Sequence, residues 1–332
     1  MLTPFRGYLP APPGPASVVD AASFARGIRD EAARYQSDHV LELAVTEGRL
    51  VRAETAVHYR YTISDDEGIV MSGIVGVAPV ADLLPHEGTV STPPHPAPII
   101  EIRPVLAITD DALPPSTELG RGVCVLDGEG MEHVVAPVSL EGDMPAGPYV
   151  LADGHHRRRA AIQTRGRECS VLALVARAGG ERLTTGTFHR RFTTAGPLPA
   201  GAGDRFDIEP MYGPRPVPGA LVWVDGASGR AFKLTPRQDA LDSMAPAHRD
   251  SAAAIAAALL YPLVGVTDDD AVHARTPEIA LVDLMPGERA LLLPPIDIIA
   301  VLAAGRAGTP LPPKSSRFRP KPLRGLVLRS AP

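Results

Sequence analysis

Tyr149-Val150-Leu151-Ala152-Asp153-Gly154-His155-His156-Arg157 decides how this chain is read. Three apolar residues form a short buried strand. A glycine then permits a tight turn and a close backbone approach. The alanines and arginines from Arg157 to Ala161 are good helix formers, so the stretch predicts a strand–turn–helix junction. The start of a helix offers unpaired N–H groups and the positive end of its dipole, a seat suited to phosphate. Two histidines and three arginines add donors for phosphate oxygens. Asp153 could hold a magnesium ion, orient a histidine, or simply cap the helix. Arg158 and Arg159 are consecutive and do not share one helix face, so a solvated basic face accounts for them.

Working outward, Thr55–Ile63 and Ile69–Val77 flank the turn Ser64-Asp65-Asp66-Glu67-Gly68 and predict a hairpin. Ile99–Ile108, Gly122–Leu126, Val134–Leu140, Ser170–Ala176 and Thr184–Phe192 read as further strands. Val18–Tyr35 and Asp38–Glu47 read as helices after an extended Pro/Gly-rich arm of 17 residues. A Gly/Pro/Ala connector at 195–204 marks a boundary. Beyond it come a second hairpin, Ala220–Val224 with Arg230–Leu234, and apolar helices over Ser251–Leu263 and Ile296–Gly305. The expected domains are an N-terminal arm and helices over 1–50, a core over 51–195, and a C-terminal α+β unit with an extended tail over 205–332.

Composition limits the alternatives. The chain has 332 residues, 45% hydrophobic and 21% charged, enough for a sizeable core. Its 36 prolines are about twice the usual share and favour short strands and rigid loops over a helical bundle. A net charge of −5 argues against a general nucleic-acid binder. Cys124 and Cys169 alone make neither a disulfide framework nor a four-cysteine zinc site, and both are expected in the core with Trp223. The first residues carry no apolar signal region, and the longest apolar run, Ala252–Val266, is short of the roughly 20 residues of a membrane helix. These features lead to the expectation of a soluble, cytoplasmic protein.

Two further segments could carry chemistry. Pro85-His86-Glu87-Gly88-Thr89 precedes the proline-rich stretch Val90–Pro98 and places a carboxylate at a strand mouth, or else is a surface turn. Lysine occurs only at Lys233, Lys314 and Lys321 among 33 basic residues, so two within the last twenty look like a local requirement. They sit in Pro312-Pro313-Lys314-Ser315-Ser316-Arg317-Phe318-Arg319-Pro320-Lys321-Pro322, which its prolines keep extended. That segment either reaches an active site or pins the tail to the core.

The junction resembles the phosphate-binding box of the ParB/sulfiredoxin-like superfamily, and its Asp-Gly-His-His-Arg spelling resembles the free-serine kinases within it. Pro4-Phe5-Arg6, His86-Glu87-Gly88-Thr89, and Pro313-Lys314-Ser315-Ser316 with Phe318, Pro320-Lys321 and Gly325-Leu326-Val327 resemble, in that order, the landmarks of a related bacterial family of uncharacterised proteins. Ala11-Pro12-Pro13-Gly14 departs from the Pro-Pro-Tyr-Asp expected near the N-terminus, and Val90–Pro98 from the charged residues expected there.

The resemblance implies an α/β (α+β) fold: a ParB/sulfiredoxin-like mixed-sheet core with an elaborated N-terminal part and a smaller C-terminal α+β unit. It implies nucleotide-dependent phosphorylation of the hydroxyl of free L-serine to O-phosphoserine. Glu87 and Asp153 would be catalytic, with Asp153 also on Mg2+. Gly154, His155, His156, Arg157 and Lys314 would bind the phosphates of ATP or ADP, and His86, Thr89 and Ser315 the substrate. No Walker-type glycine loop is present, which excludes a P-loop kinase. The rival expectation is a non-catalytic nucleotide-binding switch like the ParB-type proteins, although no helix-turn-helix is evident. No nucleic-acid or membrane partner is expected.

Overall fold

The hairpin around Asp66 belongs to the largest of the five sheets among the described residues. A computed structural model describes residues 1–12, 18–88 and 97–331. The chain divides into two compact units, one of residues 1–84, 92–183 and 320–332, the other of 85–91 and 184–319.

In the first unit, His58–Asp65, with Tyr59, Tyr61 and Ile63 buried at alternate positions, pairs antiparallel with the almost wholly buried Gly68–Pro79. They lie inside a nine-stranded sheet. Its order is Leu83–Pro85, Tyr149–Asp153, Val105–Thr109, Ser170–Arg177, Gly68–Pro79, His58–Asp65, Glu132–Leu140 and Ser116–Glu118, with Val123–Leu126 also on Glu132–Leu140. Ser170–Arg177 runs parallel to Val105–Thr109 and antiparallel to Gly68–Pro79, which makes the sheet mixed. Ile74, Val105, Ala107, Leu151, Ala173 and Val175 form its core with Ala161 of the helix His155–Arg165.

A second apolar cluster gathers Ala25, Ile28 and Ala32 of the helix Val18–Tyr35 with Val40, Leu41 and Ala44 of the helix His39–Thr46. Their 3.6-residue periodicity creates the buried stripe. The arm is partly a strand: Tyr8–Pro10 pairs with Leu50–Arg52, and Tyr8 also bridges Leu328.

The second unit holds a six-stranded antiparallel sheet ordered Phe206–Met211, Ala231–Pro236, Leu221–Asp225, Arg289–Leu292, His189–Phe192 and Val272–Ala274. In its core Phe192 lies tilted against Trp223 and edge-on to Tyr261, at centroid distances of 6.3 and 5.6 Å. The mixed α+β class expected from sequence is the observed one.

Several local expectations need correction. The strand expected over Ile99–Ile108 is two, because Pro104 lacks a donor and the halves choose different partners. Ile100–Glu101 pairs with Arg329–Ser330, while Val105–Thr109 joins the main sheet. Thr184–Phe192 splits likewise, Thr184–Gly186 pairing with Arg317–Arg319 and His189–Phe192 with the six-stranded sheet. The helix over Ser251–Leu263 has a π-type stretch at Ala256–Leu260, directly before Tyr261-Pro262, where proline cannot supply a ladder hydrogen bond. Cys124 is exposed and Cys169 half-buried. In Val123–Leu126 the residues alternate in and out, and Cys124 falls on the outer face, its thiol 3.3 Å from Glu132. No helix among the described residues is long and apolar enough to cross a membrane.

Candidate functional site

Tyr149–Asp153 runs into Gly154 and the helix His155–Arg165, as the sequence predicts. A register shift between Leu151 and Asp153 marks a bulge against Val105–Thr109. Bulges re-aim the following side chain, and here Ala152 stays buried while Asp153 keeps partial exposure. Gly154 has φ of 106°, and a Cβ there would lie 2.7 Å from Val105 Cγ1 and 2.9 Å from Arg157 Nη2. Backbone conformation and space both demand glycine.

Three cations converge on Asp153. Arg157 Nη2 donates to Oδ2 at 2.7 Å, Arg103 Nη2 lies 3.8 Å from the same oxygen, and Lys321 Nζ donates to Oδ1. Burial alone would raise the Asp153 carboxyl, but the Arg157, Lys321 and Arg103 charges outweigh it and hold it well below the usual carboxylate range. With three cations on one carboxylate, the junction stays net positive.

Arg157 works mainly as a brace. Its Nη1 donates to the Arg103 carbonyl at 2.9 Å and the Pro104 carbonyl at 2.5 Å. Those carbonyls are available because the chain is out of sheet pairing at 102–104. Arg158 braces as well, donating to Val80 O at 3.1 Å. His155 is half-buried and His156 exposed at the helix start. The cations best placed for a ligand's oxygens are therefore Lys321 and Arg103, alongside the first turn of the helix.

The segment bearing Lys321 is fixed by a buried relay. Leu323 N–H donates to Tyr61 Oη at 2.8 Å, and Tyr61 Oη lies 3.0 Å from His133 Nδ1. Since a neutral imidazole has one donor and one acceptor, the Tyr61 hydroxyl donates to Nδ1 and Nε2–H donates to Asp127 Oδ2 at 3.2 Å. Burial pushes the Tyr61 phenol up and the His133 imidazole down, so both are neutral. Arg103 Nε also donates to Pro322 O at 2.8 Å. Sequence reasoning missed Arg103, Tyr61 and His133. Lys321 had a signal in the scarcity of lysine.

In the second unit, His86 and Glu87 meet the Pro312–Ser316 turn. Leu311 N donates to His86 O at 2.7 Å and Gly88 N to Leu311 O at 2.8 Å. Glu87 Oε1 accepts the Ser316 N–H at 2.6 Å and its hydroxyl at 2.5 Å, and Oε2 accepts the Lys314 N–H at 3.2 Å. With the Ser316 hydroxyl committed to Glu87, His86 Nε2 is the donor in its 2.7 Å contact with Ser316 Oγ. Fully buried Arg190 donates to the carbonyls of Lys314 and Pro313 and pairs with Asp268 at 3.1 Å. Lys314 has φ of 59°, and its ammonium stands 5.4 Å over the Phe188 ring. Ser315 Oγ donates to Pro312 O at 2.6 Å.

The structure thus brings Asp153, Gly154, His155, His156 and Arg157 together with Arg103 and Lys321. Separately it brings His86 and Glu87 together with Lys314, Ser315 and Ser316. Thr89 and most of the proline-rich stretch after it lie outside the described residues. Among the described residues no group of three His, Cys, Asp or Glu side chains is arranged to hold a metal ion. At Asp153 the neighbours are cations, a set that fits an anion rather than Mg2+.

No family model matches the chain, and no curated protein matches it. Solved structures that are similar to it include a conserved hypothetical protein from Pyrococcus furiosus, with 13% identity and TM-score 0.41 over 75% of this chain and 94% of that one. SbnI with a C-terminal truncation, from Staphylococcus aureus, has 13% identity and TM-score 0.44 over 75% and 85%. A free serine kinase in complex with AMP has 13% identity and TM-score 0.38 over 75% and 90%.

Proposed function

We propose that the chain binds the phosphates of a nucleotide at the Asp153–Arg157 junction and transfers one phosphoryl group to the hydroxyl of free L-serine. The observation that carries the binding half is the convergence of Arg103, Arg157 and Lys321 on one carboxylate at a glycine-headed helix start. In a chain of net charge −5, such a positive spot at the dipole's positive end suits a phosphate. The serine-kinase half rests on the resemblance of Asp153-Gly154-His155-His156-Arg157 and His86-Glu87-Gly88-Thr89 to the motifs of those kinases.

In this reading the serine hydroxyl oxygen attacks the terminal phosphorus in line as the bond to the nucleotide's bridging oxygen breaks. Lys321, Arg103 and the helix start balance the charge on the transferred oxygens. The hydroxyl proton passes to a carboxylate, for which Glu87 is the candidate. His86, Ser315 and Thr89 are the candidates for substrate contacts, and Lys314 for phosphate.

One observation favours a second reading. Glu87 already accepts three hydrogen bonds from Lys314 and Ser316, which engage both carboxylate oxygens and suit a clamp. A non-catalytic nucleotide-binding switch needs that clamp and no base. Calorimetry with ATP, ADP and CTP, followed by an assay for phosphoserine, separates the two. Nucleotide binding with phosphoserine formation supports the kinase. Binding without turnover of serine or any related hydroxy amino acid leaves the switch, and no binding by any nucleotide defeats both.

A further inference from the structure

Arginine is gathered well beyond the junction. Lys321 sits on Asp153, and three residues later Arg324 is exposed. Gly325 then wedges against the first helix: a Cβ there would lie 2.4 Å from Ala21 O and 2.8 Å from Ala25 Cβ. Its N–H donates to Ile102 O at 2.8 Å. With Arg103 Nε on Pro322 O, the segment 321–325 therefore runs between 102–103 and the turn Ala21–Ala25. Arg26 and Arg29 follow on that helix at a spacing that makes them neighbours.

Arg324 has no carboxylate partner among the described residues. Burial, and then the charges of Arg103, Arg29 and Arg26, lower its guanidinium from the ordinary value. Arg103 shares Asp153 and Arg29 pairs with Asp30 at 2.8 Å, while Arg26 and Arg324 have no ion pair among the described residues. Mutual repulsion among these guanidinium groups is relieved by an anion.

We propose that Arg324, Arg26 and Arg29 form the outer part of an anion site whose inner part is the Asp153 junction with Arg103 and Lys321, and that its ligand carries a chain of two or more phosphates. The inference rests on the phosphate reading of the junction and extends it to a polyphosphate. The inner phosphate meets Lys321 and the helix start, and the outer ones meet Arg324 and the helix arginines. A nucleoside polyphosphate and an inorganic polyphosphate share this chemistry.

The test is calorimetry on the full chain at low ionic strength with inorganic phosphate, pyrophosphate and tripolyphosphate, then AMP, ADP and ATP. Affinity is expected to rise with each added phosphate. Arg324→Gln, and separately Arg26→Gln with Arg29→Gln, should abolish about a tenfold gain between phosphate and tripolyphosphate, the scale of one charged hydrogen bond. Each variant should bind phosphate itself as the wild type does. Tighter binding of nucleotides than of the matching inorganic chains would make the ligand a nucleoside polyphosphate, and equal binding an inorganic one; either supports the site. If phosphate binds with no gain from chain length, or Arg324→Gln weakens phosphate and tripolyphosphate equally, the outer site is overturned while the junction stands. If neither phosphate nor any nucleotide binds, both fall.

Discussion

Glu87 accepts both the backbone N–H and the hydroxyl of Ser316, 229 residues later in the chain, through a single carboxylate oxygen. The other oxygen holds the Lys314 N–H. Glutamine offers one carbonyl oxygen and one NH2 group, so Glu87→Gln must set a donor against a donor. A loss of about 1–3 kcal/mol is expected, the usual cost of a buried polar group left unpaired, read as a lower urea midpoint. Nucleotide affinity should stay near wild type. If Glu87 is also the base, serine phosphorylation should fall by about 10²–10⁴-fold. Wild-type turnover in the folded glutamine variant would leave Glu87 as a clamp alone.

Gly154→Ala tests the junction's backbone. The substitution puts a Cβ 2.7 Å from Val105 in a left-handed conformation. The conformation alone costs roughly 1–2 kcal/mol, and the contact with Val105 adds to it. Melting temperature and phosphate affinity should fall together. A variant with unchanged phosphate affinity would show that the turn does not shape the site.

Tyr61→Phe removes one atom that serves two partners. Leu323 N–H loses its acceptor and His133 Nδ1 its donor. Stability should fall by about 1–3 kcal/mol. Phosphate should bind more weakly, because the segment carrying Lys321 loses its anchor. Pairing the change with His133→Gln in a double-mutant cycle should give a non-additive result, since the two share one relay. Additive losses would show that the relay does not act as a unit.

Acidification should act through His189. Its Nδ1 accepts the Leu293 N–H at 3.1 Å, which requires the neutral ring. Burial, and then the Arg190 charge, lower its pKa from 6.5 to about 4. The unfolded chain therefore takes up a proton that the folded chain refuses. Stability is full above pH 6.5, declines as pH falls towards 4, and levels there, a loss of about 3 kcal/mol. Denaturant melts across that window, compared with His189→Gln, measure it. An equal slope in the variant would remove His189 as the source. Asp153 adds its own loss at lower pH, because its folded carboxyl is held below the unfolded value and its stabilisation fades only as acid reaches it.

The strand, turn and helix at 149–165 were legible because the signals are local: an apolar run, one glycine, then helix formers. The role of Arg157 was not. A guanidinium near a helix start reads as a phosphate ligand, whereas its partners are carbonyls exposed by Pro104, more than fifty residues earlier. Lys321 could be singled out by scarcity, but its meeting with Asp153 depends on the Tyr61–His133 relay, and buried tyrosine and histidine leave no periodic mark. Splitting of the strands expected over 99–108 and 184–192 was hidden for a similar reason. Propensity measures a residue's fitness for a strand and says nothing of which neighbour that strand will choose.

The first unit recruits residues 320–332, which follow the second unit in sequence, to complete contacts with much earlier residues: Leu328 pairs with Tyr8, Arg329 with Glu101, and Lys321 with Asp153. Domains ordinarily fold in the order in which the ribosome delivers them. Here the partner strand of Ile100–Glu101 and the lysine on Asp153 are not translated until the whole of the second unit has been. A ribosome stalled just short of residue 320 would hold out a chain whose second unit is almost complete while Asp153 still lacks Lys321.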